Sequence, residues 1–333
     1  RDEFINRVIA ASSPDEEGGF NSVDQNGYLL VIGREAPIDA RKPTVGILVA
    51  AGTIIDGDPA QNAVSGDAFA ETIRQARLDE TVRALVVRID SPGGSAFASE
   101  VIRRELDLTR EAGKPVVVSM GSVAASGGYW IATASDRILA SPATITGSIG
   151  VFGILPTFQD TLGKLGVHVD GVGTTALAGA LRADRKLDPN VGQAIQAMVE
   201  RTYRDFLLRV ADARQLPVET VAELAEGRVW SGSDALELKL VDGYGEVPDA
   251  VEAAAELAGL GENYQARYLE PELTLGQYLL ARIQGSAIGA RALRSLLPPE
   301  FAHLMQAWEA AAQPLIAPAQ RGIYAFCLCG RPG

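Results

Sequence analysis

The sequence predicts an α/β fold built around a parallel β-sheet. Three observations carry this: short unbroken apolar runs such as "TVGILVA", "RALVVRI" and "PVVVSM", helical stretches alternating with them, and Gly-rich turns where the runs end. Unbroken apolar strands belong to sheets covered on both faces, and a strand, helix, strand order calls for right-handed crossovers between parallel neighbours.

Taken in order, residues 1–42 open with a helical stub, "DEFINRVIA", and run through the acidic "SSPDEEGGFNSVDQNG" to the strand-like "YLLVIG". They have little apolar periodicity and read as a connector from something upstream. From Thr44 the pattern is regular. "TVGILVA" is a buried strand, "SGDAFAETIRQARLD" a helix capped by Ser65 or Asp67, and "RALVVRI" a second buried strand. The turn "DSPGGS" leads into the helix "AFASEVIRRELDLTREAG", which Gly113 ends, and then into the strand "PVVVSM". "DRILA" and "ATITGSIGV" add short strands, and "FGILPTFQDTLGKLG" a helix leading to the strand-like "VHVDG". The long helix "DPNVGQAIQAMVERTYRDFLLRVADAR" carries Ile195, Met198, Val199, Tyr203, Phe206, Leu207 and Val210 at spacings of three and four, so one face is expected to be buried. Shorter helices follow at "PVETVAELAEG" and "SGSDALELKLVDGYG". The last stretch, 261–333, is a Pro-punctuated tail with amphipathic segments. Few basic residues line their polar face, which fits packing against protein better than a membrane surface.

Composition narrows the chemistry. The 333 residues are 47% hydrophobic and 22% charged, a globular balance. A net charge of -12 argues against a nucleic-acid partner, whose affinity rests on clustered Lys and Arg. No run of 18 apolar residues and no signal-peptide pattern appears, and the arginine at position 1 leads us to expect a longer precursor. Two cysteines, Cys327 and Cys329, and two histidines, His168 and His303, are too few for a metal centre of the usual kinds, and we expect no metal. Nucleotide cofactors lack their fingerprints: "TGSIGVFG" has no Lys-Ser/Thr pair after its glycines, and no Gly-x-Gly-x-x-Gly occurs. No cofactor is expected.

The stretch "GSVAASGGYW" sets Ser126 among alanines and glycines where a strand turns into a helix. Small neighbours allow a sharp turn and close approach of a substrate, as a nucleophile requires. A tightly packed structural turn fits the same residues, and on this stretch alone the two readings stand level. Ligands of parallel sheets bind beyond the carboxyl ends of the strands, so "DSPGGS", "AASGG" and "TGSIG" are predicted to converge on one cleft. There the N–H groups of Gly93, Gly94 and Gly127 would form an oxyanion hole. The base is harder to place. "AASGG" departs from the α/β-hydrolase elbow only at Ala124, but His168 sits in a strand-like run as a structural histidine would, and His303 lies in the tail, which disfavours a Ser-His-Asp triad. A lysine made neutral by burial is the remaining common base. Of five lysines, Lys42, Lys114, Lys164 and Lys239 read as solvated. Lys186 lies in an unassigned loop, in a charged setting that suits an exposed side chain.

At this point the residues carry a resemblance. "RIDSPGGSAFASEVIRRELD", "GKPVVVSMGSVAASGGYWIATASDRILASPATITGSIGVFG" and "GRVWSGSDALELKLVDGYG" closely resemble the signal peptide peptidase A family over Thr44 to Leu260. The resemblance implies the fold of the Clp protease proteolytic subunit and of crotonases, with βαβ units and here a helical C-terminal extension. It also implies a ring-like homo-oligomer, and a Ser-Lys dyad that degrades leftover signal peptides at the periplasmic or outer face of the bacterial cytoplasmic membrane. Ser126 matches the nucleophile, Gly93, Gly94 and Gly127 the oxyanion hole, and Ser148 a serine near the lysine. One departure stands out: Ala178 occupies the place where short members carry the lysine. Long members take the lysine from a first half and the serine from a second, and this chain looks like a second half. The expected organisation is therefore a connector at 1–42, a peptidase domain at 43–260 and an amphipathic tail at 261–333. The base, the membrane anchor and part of the peptide groove are expected from an upstream half, with Lys186 as the alternative base. A catalytically idle scaffold half and a crotonase-like acyl-CoA enzyme are the competing readings, the latter disfavoured because it would need acidic catalytic residues in the cleft and no serine at 126.

Overall fold

A computed structural model describes residues 39, 41–57, 63–175 and 177–269, together with the backbone of a strand at Tyr324–Phe326. The stub and strand expected within 2–33, the tail helices, His303, Cys327 and Cys329 lie outside the described residues. Two compact units are distinguished, Arg1–Lys42 and Pro43–Gly333, and the second carries everything below.

Its main sheet begins with β1 (Thr44–Ala51), β4 (Val82–Ser91) and β6 (Val116–Ala125), paired in parallel as predicted. β7 (Arg137–Ala140) and β10 (Gly243–Tyr244) extend it on one side, and β11 (Gln265–Tyr268) on the other, giving the order β10-β7-β6-β4-β1-β11. All of these pairs are parallel. Because β11 pairs with β1, the main sheet reaches beyond the 43–260 span read from sequence. β8 (Ile145–Gly147) pairs with the far end of β6, and β9 (Val229–Ser231) runs antiparallel beside β8.

Both faces of the sheet are covered, which is why its strands read as unbroken apolar runs. On one face Leu85, Val87 and Ile89 of β4 pack with Phe69 and Ile73 of α1 (Gly66–Leu78) and with Ile102 and Leu106 of α2 (Ala96–Glu111). On the other, Ala84 and Val86 meet Ala250, Ala253 and Ala254 of α8 (Val247–Leu257), whose small residues let it lie close to the strands. Each fully buried Leu, Ile, Val or Phe contributes about 1.5–3 kcal/mol. Both long helices start at serines: Ser65 Oγ accepts the Ala68 N–H at 3.3 Å and Ser95 Oγ that of Ala98 at 3.2 Å. Of the two caps proposed for α1, Ser65 is the one used.

A second, small sheet was not foreseen. It joins β2 (Thr53–Ile55), β3 (Ala63–Ser65) and β5 (Gly93–Ser95), and the outer edge of β5 pairs antiparallel with β12 (Tyr324–Phe326). Strands of three residues leave no period for a sequence to show.

The segment after β8 departs most from expectation. The helix foreseen around "FGILPTFQDTLGKLG" is reduced to α4 (Gln159–Lys164), with no buried residue, and "VHVDG" forms no strand. His168 is exposed there instead of packed in a strand. The long helix exists as α5 (Pro189–Arg214), capped by Asp188, but only Phe206, Leu207, Val210 and Ala211 are buried. Met198 is 57% exposed, because none of the described residues forms a layer beneath the first half of the helix. Two short helices, α6 (Val218–Leu224) and α7 (Gly232–Glu237), close the domain.

Candidate active site

Ser126 stands between β6 and the helix α3 (Gly127–Ala132), and it is the N-cap of that helix. The end of β6 is re-aimed by a register break: Met120 lies opposite Ile89, but Ala124 lies opposite Ser91, so residues 121–123 bulge. Gly121 permits this, since a Cβ there would come within 2.9 Å of the Asp90 side chain, and Asp90 Oδ1 accepts the Val123 N–H at 3.0 Å. The bulge delivers Ser126 with φ 54 and ψ -114, a conformation that a non-glycine residue adopts at a cost of roughly 1–3 kcal/mol.

The side chain adds a second cost. Ser126 is fully buried, and its Oγ has no hydrogen-bond partner among the described residues, which forfeits about 1–3 kcal/mol of hydration. Buried hydroxyls almost always find partners. Two unfavourable terms thus fall on one residue, and neither contributes to stability.

The three Gly-rich turns do come together around it. A Cβ on Gly127 would sit 2.6 Å from Ser99 Oγ, 3.2 Å from Gly94 N and 3.3 Å from Gly93 Cα, and one on Gly128 would sit 3.1 Å from Ser91 O. Only glycine allows α3 to lie this close to β5. The third turn joins through the Ser126 N–H, which donates to Gly147 O at 2.8 Å. Ser148 follows at φ 50, buried, with its N–H donating to Arg228 O at 2.7 Å. Thr146 Oγ1 donates to Ala124 O at 2.7 Å, which ties β8 to the last turn of strand before the serine.

The three amides expected to act as oxyanion donors are not equivalent. The Gly93 N–H already donates to Ser91 Oγ at 3.1 Å. Gly94 is held against β2 so closely that a Cβ would lie 2.0 Å from Ile54 O, and its N lies 3.2 Å from where a Gly127 Cβ would sit. Sequence reasoning missed Ser91 and Asp90, although both lie inside or beside the "DSPGGS" turn it singled out.

The lysines are dispersed. Lys42, Lys164, Lys186 and Lys239 are exposed. Lys114 is not simply solvated: its ammonium donates to Asp79 O at 2.6 Å and Ala76 O at 3.1 Å, and burial pulls its pKa below the usual lysine value. It precedes β6, so the length of that strand separates it from Ser126. None of the five makes a hydrogen bond to Ser126 Oγ. Ala178 is exposed. Among the described residues no cluster of three or more His, Cys, Asp or Glu is arranged to hold a metal, and no helix is long and apolar enough to cross a membrane.

Protease 4 of Salmonella typhi is 44% identical over 317 residues, which cover 94% of this chain and 50% of that protein. Protease 4 of Haemophilus influenzae is 46% identical over 251 residues, 75% of this chain and 41% of that protein. The chain thus spans about half the length of the curated relatives it matches. Among solved structures, a mutant of ClpP1 from Listeria monocytogenes superposes with a TM-score of 0.39 at 16% identity, over 62% of this chain and 94% of that one. Residues 109–261 match Peptidase family S49, a span that takes in Ser126, its flanking glycines and Ser148. A strained serine, unpartnered among the described residues, stands inside residues 109–261, the span that carries the pattern of Peptidase family S49.

Proposed function

We propose that this chain is the serine-bearing half of a Ser-Lys peptidase that cleaves short, apolar, extended peptides such as the remnants of signal peptides. The observation that carries the reading is the Ser126 hydroxyl, buried, strained and without a partner. In the reaction Ser126 Oγ attacks the scissile carbonyl while a neutral lysine amine takes the hydroxyl proton. The carbonyl oxygen becomes anionic and is met by the N–H groups of Gly94 and Gly127, with Gly93 behind them. Collapse breaks the C–N bond, the lysine returns the proton to the leaving amine, and water then frees the acyl group by the same steps.

The lysine comes from an upstream half in this reading. What supports that is the absence of any lysine hydrogen bond to Ser126 and the roughly twofold length of the relatives. Lys186 would have to leave its exposed position to act as the base. Supporting the choice of an extended substrate is the edge of β5, where Ala325 lies opposite Gly94 in an antiparallel pair. An edge that takes one strand of this chain offers the same main-chain hydrogen bonds to a peptide. Homo-oligomerisation into a ring and action at the outer face of the bacterial cytoplasmic membrane complete the proposal, both on the strength of the family resemblance.

Turnover of a fluorogenic signal-peptide-like substrate tests it, with this chain alone and with its upstream half, each beside Ser126→Ala. Serine-dependent turnover only with both halves is expected. Turnover by the chain alone would assign the base to a lysine within it, and an inert two-half protein would leave Ser126 in an idle scaffold.

A further inference from the structure

We propose that Glu100 is a positioning residue that fixes the angle of α3, and with it the distance between Ser126 and the oxyanion donors. This rests on the reading of Ser126 as the nucleophile.

Six residues are too few for a helix to hold its own direction, so α3 must be oriented by what its side chains grip. Trp130 is the grip. Its backbone N–H donates to Ser126 O at 2.8 Å, and its side chain is 3% exposed. The indole Nε1–H donates to Glu100 Oε2 at 2.8 Å. The ring packs against Phe206, with centroids 4.6 Å apart, and Arg209 reaches over it at 5.9 Å. Glu100 is itself saturated. Arg103 donates to Oε2 at 2.7 Å and to Oε1 at 3.1 Å, and Arg209 donates to Oε1 at 2.8 Å. Each carboxylate oxygen accepts two bonds.

The placement of Glu100 in the chain makes this more than a stabilising contact. It lies one turn into α2, which continues directly from β5, and the neighbouring Ser99 is the residue that Gly127 packs against. One carboxylate therefore ties the helix that follows the oxyanion strand to the helix that carries the nucleophile, and both to α5. Burial works against the charge, but the bonds from Arg103 and Trp130 and the charges of Arg103 and Arg209 outweigh it, and the carboxyl is held below its usual range. It is anionic whenever the enzyme works near neutrality.

The test pairs Glu100→Gln with Trp130→Phe, which keeps the ring and removes the N–H. In this chain alone, amide exchange at Gly127 to Trp130 is expected to speed up at least tenfold in each variant, while protection in β4 and β6 stays unchanged. In the two-half protein, kcat is expected to fall about tenfold with KM within a factor of two, and the double variant to be no slower than the worse single one. Unchanged exchange at 127–130, additive losses in kcat, or a loss of global stability with kcat intact would each overturn the proposal. If the unmodified two-half protein shows no Ser126-dependent turnover, the functional reading fails by itself, and the exchange measurement still decides whether Glu100 sets the helix.

Discussion

Residues 116–150 and 151–200 are neighbours in sequence and opposites in structure. In the first stretch most residues are buried, and each glycine in the turns answers a measurable contact. In the second no described residue is buried, and Ile154, Phe158, Leu165, Val172, Leu177 and Leu181 are all more than half exposed. Single exposed apolar residues are ordinary, but a run of them is the mark of a surface meant to be covered. The contrast shows which part of the proposed site is packed: the turns around Ser126 rest on the buried core, while among the described residues the segment after β8 has nothing packed over its apolar side chains.

The largest effects should come from the packed stretch. Ser126→Ala is expected to lower turnover of the two-half protein by about 10⁴-fold or more. Its thermal midpoint should stay level or rise, since the change removes a buried hydroxyl with no partner. A clear fall in stability would mean that Ser126 is a structural residue after all. Gly94→Ala should follow, costing on the order of 10²–10³ in kcat, the range for a lost oxyanion donor. Its new Cβ would meet Ile54 O at 2.0 Å, so β5 must move.

The helix α5 crosses from one region to the other and allows the contrast to be measured within a single element. Phe206→Ala, in the buried half, is expected to destabilise this chain by about 3–5 kcal/mol in urea unfolding. Met198→Ala, eight residues earlier and exposed, should change stability by less than about 0.5 kcal/mol. Equal losses would mean that the first half of the helix is packed in solution.

A smaller effect is expected at the groove edge. Removing residues 324–333 takes away the strand opposite Gly93–Ser95 and should tighten binding of a labelled apolar peptide by about tenfold, read by fluorescence anisotropy. Unchanged affinity would place the peptide elsewhere.

How much of this was legible in the sequence follows from the same contrast. The parallel sheet was, because burial on both faces leaves an apolar run that no other arrangement explains. The close approach of the turns at Gly93, Gly94 and Gly127 was, because backbone this near to backbone tolerates nothing larger. The three-residue strands of the small sheet were not, since they have no room for a period. β11 was missed because "QARY" alternates half-buried and exposed at a sheet edge. The grip of Glu100 on Trp130 joins residues 30 apart that share no local pattern. The apolar spacing of α5 predicted one buried face along its whole length, and only the end from Phe206 to Ala211 is buried; periodicity records that a face suits burial, and never which chain would cover it.

That last point gives the smallest expected change and the most informative one. Ile154→Ser together with Val172→Ser replaces two side chains that are 78% and 107% exposed, so unfolding of this chain alone should shift by less than about 0.5 kcal/mol. If the wall after β8 is completed by the upstream half, the same pair should weaken association of the two halves, seen as a lower sedimentation coefficient at a fixed concentration, and turnover should fall in step. The apolar area at stake is worth about 25 cal/mol per Å² removed from water, which makes two such side chains enough to shift an association equilibrium by a factor of ten or more. Loss of association without loss of stability would show that these residues are a core waiting for its other side. Unchanged association would return them to the surface and move the missing wall elsewhere in the assembly.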